Sequence, residues 1–212
     1  PYKNDFEDIE GLLEKARNTN ASIIYIANPD NPMGTWHSAT NLEKLVESLP
    51  SKTLLCLDEA YSDFLSEKDL PIISVDNPNV IRFRTFSKAY GMAGARVGYG
   101  IGPPTLVKAF NKIRNHFGVN LIAQSGAIAA LNDEPYLRIV KRKVETAKKK
   151  ISEIALRNGL IPLPSGANFV AIDCRRDAKF AKLVLQGLLK RNIFVRMPFE
   201  EPQSRCIRIS AG

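Results

Sequence analysis

The sequence predicts an α/β protein: a mostly parallel sheet followed by a smaller α+β part. Three observations predict it. Apolar strand-like runs at 21–27, 53–57 and 80–84 alternate with segments of helical periodicity. The first of these runs is nearly continuous in apolar residues, as a strand buried on both faces requires. A long amphipathic stretch at 134–157 then precedes a different texture, in which strand, helix, strand and strand follow one another.

Taken in order, Phe6 to Asn18 reads as a helix with Ile9, Leu12, Leu13 and Ala16 on one face. The strand Ala21 to Ala27 ends in Asn28-Pro29-Asp30-Asn31-Pro32-Met33-Gly34-Thr35, a dense turn signal. A helix from Ser38 to Ser48 turns Leu42, Leu45 and Val46 inward. The strand Thr53 to Leu57 closes on Asp58-Glu59-Ala60-Tyr61, and the third strand is Val80 to Arg84. The run Arg96 to Gly102 follows after too short a link for a parallel crossover, so it is expected to be antiparallel to the third strand. Leu106 to Asn115 and Leu121 to Leu131 read as helices, and the helix Glu134 to Arg157 stops at Asn158-Gly159. Asn168 to Asp173 is a strand, Ala178 to Lys190 a helix, Ile193 to Arg196 a strand and Cys206 to Ser210 another.

Composition bounds the function. At 212 residues, 44% hydrophobic and 25% charged, the chain has the make-up of an ordinary soluble globular protein. No apolar run reaches membrane-spanning length and nothing resembles a signal peptide, so no membrane role and a cytoplasmic location are expected. Cys56, Cys174 and Cys206 are odd in number, far apart and set in apolar runs, which reads as reduced thiols. His37 and His116 have no companion at metal-ligand spacing, so no metal is expected. The net charge of +8 raises nucleic acid as a partner. Much of it, however, lies at Arg138, Lys141, Arg142, Lys143, Lys148, Lys149 and Lys150, on what reads as the wet faces of one helix, and no nucleic-acid motif accompanies it.

The chemistry gathers at strand ends, where parallel α/β sheets collect ligands. Asn31 follows the first strand, Asp58 and Tyr61 the second, and Thr85, Ser87 and Lys88 the third, with Arg96 closing the last loop. An arginine fork with hydroxyls suits a phosphate, and a neighbouring cation favours the neutral amine that an imine-forming lysine needs. Singly each residue has an ordinary explanation as a turn, a cap, a core tyrosine or a solvated lysine. Together they offer what pyridoxal phosphate asks for: a carboxylate for the ring nitrogen, a lysine for the aldehyde and a clamp for the phosphate.

Asn28-Pro29-Asp30-Asn31-Pro32-Met33-Gly34, Leu57-Asp58-Glu59-Ala60-Tyr61, Thr85-Phe86-Ser87-Lys88-Ala89-Tyr90-Gly91 with Arg96, and Cys206-Ile207-Arg208-Ile209-Ser210-Ala211-Gly212 resemble, in order and spacing, the signature blocks of fold-type-I pyridoxal-phosphate aminotransferases. The nearest likeness is to the histidinol-phosphate aminotransferase group. The resemblance implies the fold-type-I transferase fold, with residues 1–138 as a partial cofactor-binding large domain and 139–212 as a small C-terminal domain entered through the long helix. It implies that Lys88 holds the cofactor and moves the substrate α-proton, and that Asp58 pairs with the ring nitrogen. Asn31 and Tyr61 would bond the ring's phenolic oxygen, and Thr85, Ser87 and Arg96 the cofactor phosphate. Arg208 would take a substrate carboxylate, and Arg196 a substrate phosphate. It also implies a cis bond at Asn31-Pro32.

Met33 departs from the threonine usual in the family, at a position expected not to touch the cofactor. The family's N-terminal part, which supplies one wall of the site, has no counterpart here, and the chain begins at Pro1. A trimmed or partial chain is therefore expected. The function expected is amino transfer between a donor such as glutamate and an oxo-acid or oxo-alcohol phosphate, in amino-acid biosynthesis, by a homodimer. A decarboxylase of threonine-phosphate type and a cofactor-free basic binding module are the alternatives.

Overall fold

The computed structural model describes residues 2–211; Gly212, the last residue of the arginine block, lies outside them. The chain opens on an antiparallel hairpin of β1 (Tyr2–Lys3) and β2 (Phe6–Glu7). Asn4 and Asp5 make its turn at φ 52° and 67°, the left-handed conformation that tight hairpins need. Phe6 is therefore in a strand, and the first helix, α1 (Ile9–Thr19), starts later than expected. Asp8 sets that start, since its Oδ1 accepts from the Gly11 amide at 3.1 Å and caps the first turn.

Four strands follow: β3 (Ile23–Ala27), β4 (Leu54–Asp58), β5 (Val80–Thr85) and β6 (Gly98–Ile101), in that spatial order. The first three are parallel, and β6 runs antiparallel to β5 with Thr85 opposite Gly98, as the short link requires. A side chain at Gly98 would sit 2.6 Å from the Arg84 carbonyl oxygen, so only glycine lets the two strands approach this closely.

Leu13 and Ala16 of α1 and Leu42 and Leu45 of α2 (Ala39–Glu47) pack on Ile24, Ile26, Leu55 and Leu57. Each fully buried leucine there contributes about 1.5–3 kcal/mol. The helices cover one face of the sheet. Ile23 and Tyr25, on the other face, are 57% and 55% exposed. The expectation that the first strand is buried on both faces is thus corrected: β3 alternates, with one side covered and one open.

Helices α3 (Pro104–Phe110), α4 (Leu121–Asn132) and α5 (Glu134–Arg157) lead to a second sheet. α3 stops short of the expected Asn115, and hydrogen-bonded turns continue it to Arg114. The second sheet holds β7 (Ile161–Pro162), β8 (Phe169–Asp173) and β9 (Cys206–Ser210), all antiparallel. Val170, Ile172 and Ile207 pack there with Ala155 of α5 and Ala181 of α6 (Ala178–Leu189). Cys174 and Cys206 are buried in separate apolar clusters and act as packing residues.

Two further expectations are corrected. Residues Ile193 to Arg196 form no strand; Asn192 turns the chain at φ 59°, Phe194 is exposed, and only Arg196 pairs, in an isolated bridge with Arg208. Lys148 is not on the wet face of α5. It is buried, and its ammonium donates to the Ser165 carbonyl at 2.7 Å and meets Glu145 at 3.0 Å. Among the described residues no helix is long and apolar enough to cross a membrane, and no three potential metal ligands cluster.

Candidate active site

The carboxyl ends of β3, β4 and β5 lie side by side, because the parallel register aligns Ala27 with Asp58 and Asp58 with Phe83. The turn after β3 is held from within. The Asn28 amide donates to the Asp58 carbonyl at 2.8 Å, and Asn28 Oδ1 accepts from the His37 amide at 2.7 Å. Asp30 Oδ2 accepts from the Met33 amide at 3.1 Å, and Met33 itself is fully buried against Ala171 and Cys206. Gly34, at φ 79°, backs onto Ser165, which an added side chain would strike at 2.6 Å. The result presents Asn31 outward. The cis bond of this turn is Asn28-Pro29, with a second at Glu201-Pro202; Asn31-Pro32 is trans, so that expectation is corrected. Both prolines sit in the same compact turn, and sequence does not distinguish them.

Adjacent carboxylates at the end of β4 point opposite ways. Asp58 faces the open side, where its Oδ1 accepts from the Ala60 amide at 2.9 Å and its Oδ2 from the Tyr25 hydroxyl at 2.6 Å. Glu59 is buried on the other side and accepts from Arg82 Nη2 at 2.8 Å and Arg84 Nε at 2.9 Å; Arg84 also meets Asp63 at 3.3 Å. Tyr61 is buried edge-on against Phe169, with ring centroids 5.3 Å apart. Its hydroxyl makes no hydrogen bond among the described residues. Lys88 lies over the Tyr61 ring, its Nζ 5.1 Å from the centroid, and makes no ion pair among the described residues.

The loop after β5 folds back on itself. Thr85 Oγ1 accepts from the Ser87 amide at 3.0 Å, and the Phe86 amide donates to the Val97 carbonyl at 3.2 Å. Arg96 thus returns to the level of Thr85 and Ser87. It holds a left-handed backbone at φ 55°, uncommon for a residue with a side chain and enriched at functional sites. Its exposed guanidinium donates to the Ala93 carbonyl at 2.8 Å.

A cleft of about 440 Å³ adjoins these strand ends, with Asn31, Arg196, Arg208, Gln203 and Tyr2 in its wall. Arg208 lies over the Phe169 ring at 4.8 Å, and its Nη1 donates to Asn31 Oδ1. Its Nε is buried with no hydrogen-bond partner among the described residues. Burial, and secondarily Arg196, push the Arg208 guanidinium below its usual range, against a favourable contribution from Tyr61. Backbone bonds of 3.0 and 2.7 Å hold Arg196 and Arg208 opposite one another. Two like charges side by side cost stability unless an anion joins them. The larger cavity, about 600 Å³ between the hairpin, α1 and α2, contains none of these residues.

The structure therefore joins Arg208 to Asn31 and Lys88 to Tyr61 beside the strand end that carries Asp58, with Thr85, Ser87 and Arg96 in the adjoining loop and Arg196 next to Arg208 in the cleft wall. Sequence reasoning missed Tyr25, Tyr2 and Gln203. Tyr2 donates to Asp30 Oδ1 at 2.9 Å, and the buried amide nitrogen of Gln203 has no partner among the described residues. Alternation along β3 would have placed Tyr25 on the face of Asp58; nothing local marks the other two.

A mostly parallel sheet, a lysine loop after its third strand and an arginine on the last strand of a small second sheet make this the fold of type I pyridoxal-phosphate-dependent enzymes. Residues 1–212 match the model of aminotransferase class I and II, and the chain belongs to that family. Histidinol-phosphate aminotransferase 2 of Carboxydothermus hydrogenoformans is 39% identical over all of this chain and 59% of its own length. That of Pseudomonas fluorescens is 37% identical, over 57% of its length. The solved histidinol-phosphate aminotransferase of Sinorhizobium meliloti, in complex with pyridoxal-5'-phosphate, is 50% identical with a TM-score of 0.97, over 100% of this chain and 58% of that one. The chain thus spans under three-fifths of the length of these relatives.

Proposed function

We propose that the protein is a pyridoxal-phosphate-dependent aminotransferase of histidinol-phosphate type, moving an amino group between a donor such as glutamate and an oxo-acid or oxo-alcohol phosphate. One observation carries this reading: Asp58, Tyr61, Lys88 and Asn31 share one set of strand ends, with Arg208 joined to Asn31. The residues fit the cofactor, since the Lys88 amine has no carboxylate partner and the Tyr61 hydroxyl has no protein acceptor among the described residues. When bound, pyridoxal phosphate supplies an aldehyde for the amino group and a ring that accepts the electron pair of the substrate's α-carbon.

In this reading Lys88 holds the cofactor and then moves the proton at the substrate α-carbon. Asp58 keeps a proton on the ring nitrogen. Asn31 and Tyr61 donate to the ring's phenolic oxygen, and Thr85, Ser87 and Arg96 hold the cofactor phosphate. Arg208 takes the substrate carboxylate in a bidentate pair, and Arg196, a short span away, takes a second anionic group such as a phosphate. We divide the chain into a cofactor-binding part, 1–138, and a small C-terminal part, 139–212, with the boundary inside α5. A cytoplasmic location belongs to the same proposal, and so does a homodimer, which the apolar surface that Ile113, Phe117, Leu121 and Ile122 expose around α3 and α4 supports.

The test is an amine-transfer assay of the full-length protein with glutamate against oxo-acids and oxo-alcohol phosphates. Transfer to the oxo-alcohol phosphate is expected. Release of carbon dioxide from an amino-acid phosphate instead would make it a decarboxylase. A colourless protein that borohydride does not label with added pyridoxal phosphate would end the reading.

A further inference from the structure

Tyr25 and Asp58 are diagonal neighbours on the open face of the sheet. The register sets Tyr25 against Cys56 and Ala27 against Asp58, and a tyrosine is long enough to span the diagonal. Its hydroxyl donates to Asp58 Oδ2 at 2.6 Å, while the Ala60 amide holds Oδ1 at 2.9 Å. Each carboxylate oxygen thus has one donor, from a different strand or turn, and the plane of the group is fixed. Tyr25 lies on the face opposite the helix-covered core of the sheet, so that core does not depend on it. Burial and the nearby carboxylates of Asp58, Glu7 and Asp30 all push the phenol upward. Tyr25 is therefore a donor toward Asp58 throughout the neutral range.

We propose that Tyr25 is a positioning residue, whose hydroxyl orients the Asp58 carboxylate so that it would accept from the protonated ring nitrogen of the cofactor. With each oxygen already turned by one donor, the carboxylate keeps the plane in which its remaining lone pairs would meet the ring N–H. The inference rests on the reading of Asp58 given above. It makes Tyr25 a contributor to the electron-accepting state of the ring without touching substrate.

The experiment compares the full-length protein with Tyr25→Phe and Asp58→Asn, each loaded with pyridoxal phosphate labelled at the ring nitrogen. In Tyr25→Phe, kcat is expected to fall about tenfold, with KM and cofactor affinity within about twofold, because one hydrogen bond to a charged group is lost. The ring-nitrogen resonance should move from the pyridinium position toward neutral pyridine, and further still in Asp58→Asn. In cofactor-free protein, Asp58→Asn should let one tyrosine ionise at lower pH than in the parent, and that tyrosine should vanish in Tyr25→Phe. An unchanged ring-nitrogen resonance in Tyr25→Phe overturns the proposal whatever its kcat, and so does loss of cofactor binding. An unchanged resonance in Asp58→Asn overturns the reading of Asp58 instead, which keeps the two failures apart.

Discussion

Arg208 donates through Nη1 to Oδ1 of Asn31, joining the last strand of the second sheet to the turn that follows β3. That bond turns the Asn31 oxygen toward Arg208, which leaves the two N–H donors of its amide free to face a ligand. The group proposed to grip substrate thereby sets which atom of its neighbour faces the cofactor.

Replacing Arg208 by lysine keeps the charge and removes the planar fork. A charge-assisted bidentate pair is worth roughly 1.5–3 kcal/mol, so KM for the amino donor should rise by about tenfold or more. Cofactor affinity should change far less. Steady-state kinetics with a separate cofactor titration measures both, and a parental KM would remove Arg208 from the substrate site.

Lys88 and Arg96 should separate catalysis from retention of the cofactor. Lys88→Ala is expected to be catalytically dead yet to bind pyridoxal phosphate, because the phosphate clamp is intact. Arg96→Ala should lose cofactor affinity by about tenfold or more, leaving a phosphate dianion short of a partner. Equilibrium dissociation constants for the two variants rank them, and parental affinity in Arg96→Ala would mean that another group holds the phosphate.

Glu59 is a matter of stability. Its side chain is 2% exposed between Arg82 and Arg84, which are 15% and 16% exposed. Glu59→Ala leaves both guanidiniums without their shared acceptor, and breaking a buried pair in this way costs about 3–5 kcal/mol. The residual access of water to the arginines favours the lower end. Urea denaturation of the full-length protein measures the loss; a change under about 1 kcal/mol would show that water replaces the carboxylate freely.

The strand ends were legible because their signals are local. Apolar runs that stop at Asn28-Pro29, Asp58-Glu59 and Thr85-Phe86 mark where β3, β4 and β5 end, and parallel order then puts those ends together. The short link to Gly98 fixed the direction of β6 in the same way. What escaped depends on partners far along the chain. Ile193 to Arg196 has the composition of a strand, but only Arg196 finds a partner, in Arg208. Lys148 looks like its solvated neighbours on α5 until Ser165 is brought beneath it. Phe6 continues the helical periodicity of Ile9 and Leu13, and only the Asp8 cap separates it from α1. Tyr25 reads as one more apolar strand residue until the register sets Asp58 diagonally across from it.

Glu7 should give the fold a pH dependence. Its carboxyl is pushed up from 4.5 to about 8, mainly by burial and next by the charge of Asp30, against a bond from the Ala27 amide that lowers it. The folded state therefore binds this proton more tightly than the unfolded chain does. Its contribution is fully present below about 4.5 and is lost as the pH rises toward about 8. Glu7→Gln keeps an acceptor for Ala27 and removes the titration, so it should flatten that part of the stability profile and stabilise the protein at the alkaline end. Chemical denaturation across this range measures the slope, and a parental slope in the variant would place the titration elsewhere.

Asp58 and Glu59 are neighbours of the same charge, yet the two-residue repeat of the strand sends one to the open face and the other beneath the sheet. Exchanging the pair, Asp58→Glu with Glu59→Asp, conserves composition, net charge and hydropathy. It would still put a longer carboxylate where Tyr25 and Ala60 grip a short one, and a shorter one between two arginines spaced for glutamate. Any measure that treats acidic residues as interchangeable is blind to this exchange. The information resides in the parity of the position along the strand, and a one-residue insertion anywhere in β4 ahead of it would scramble that address while leaving every residue present.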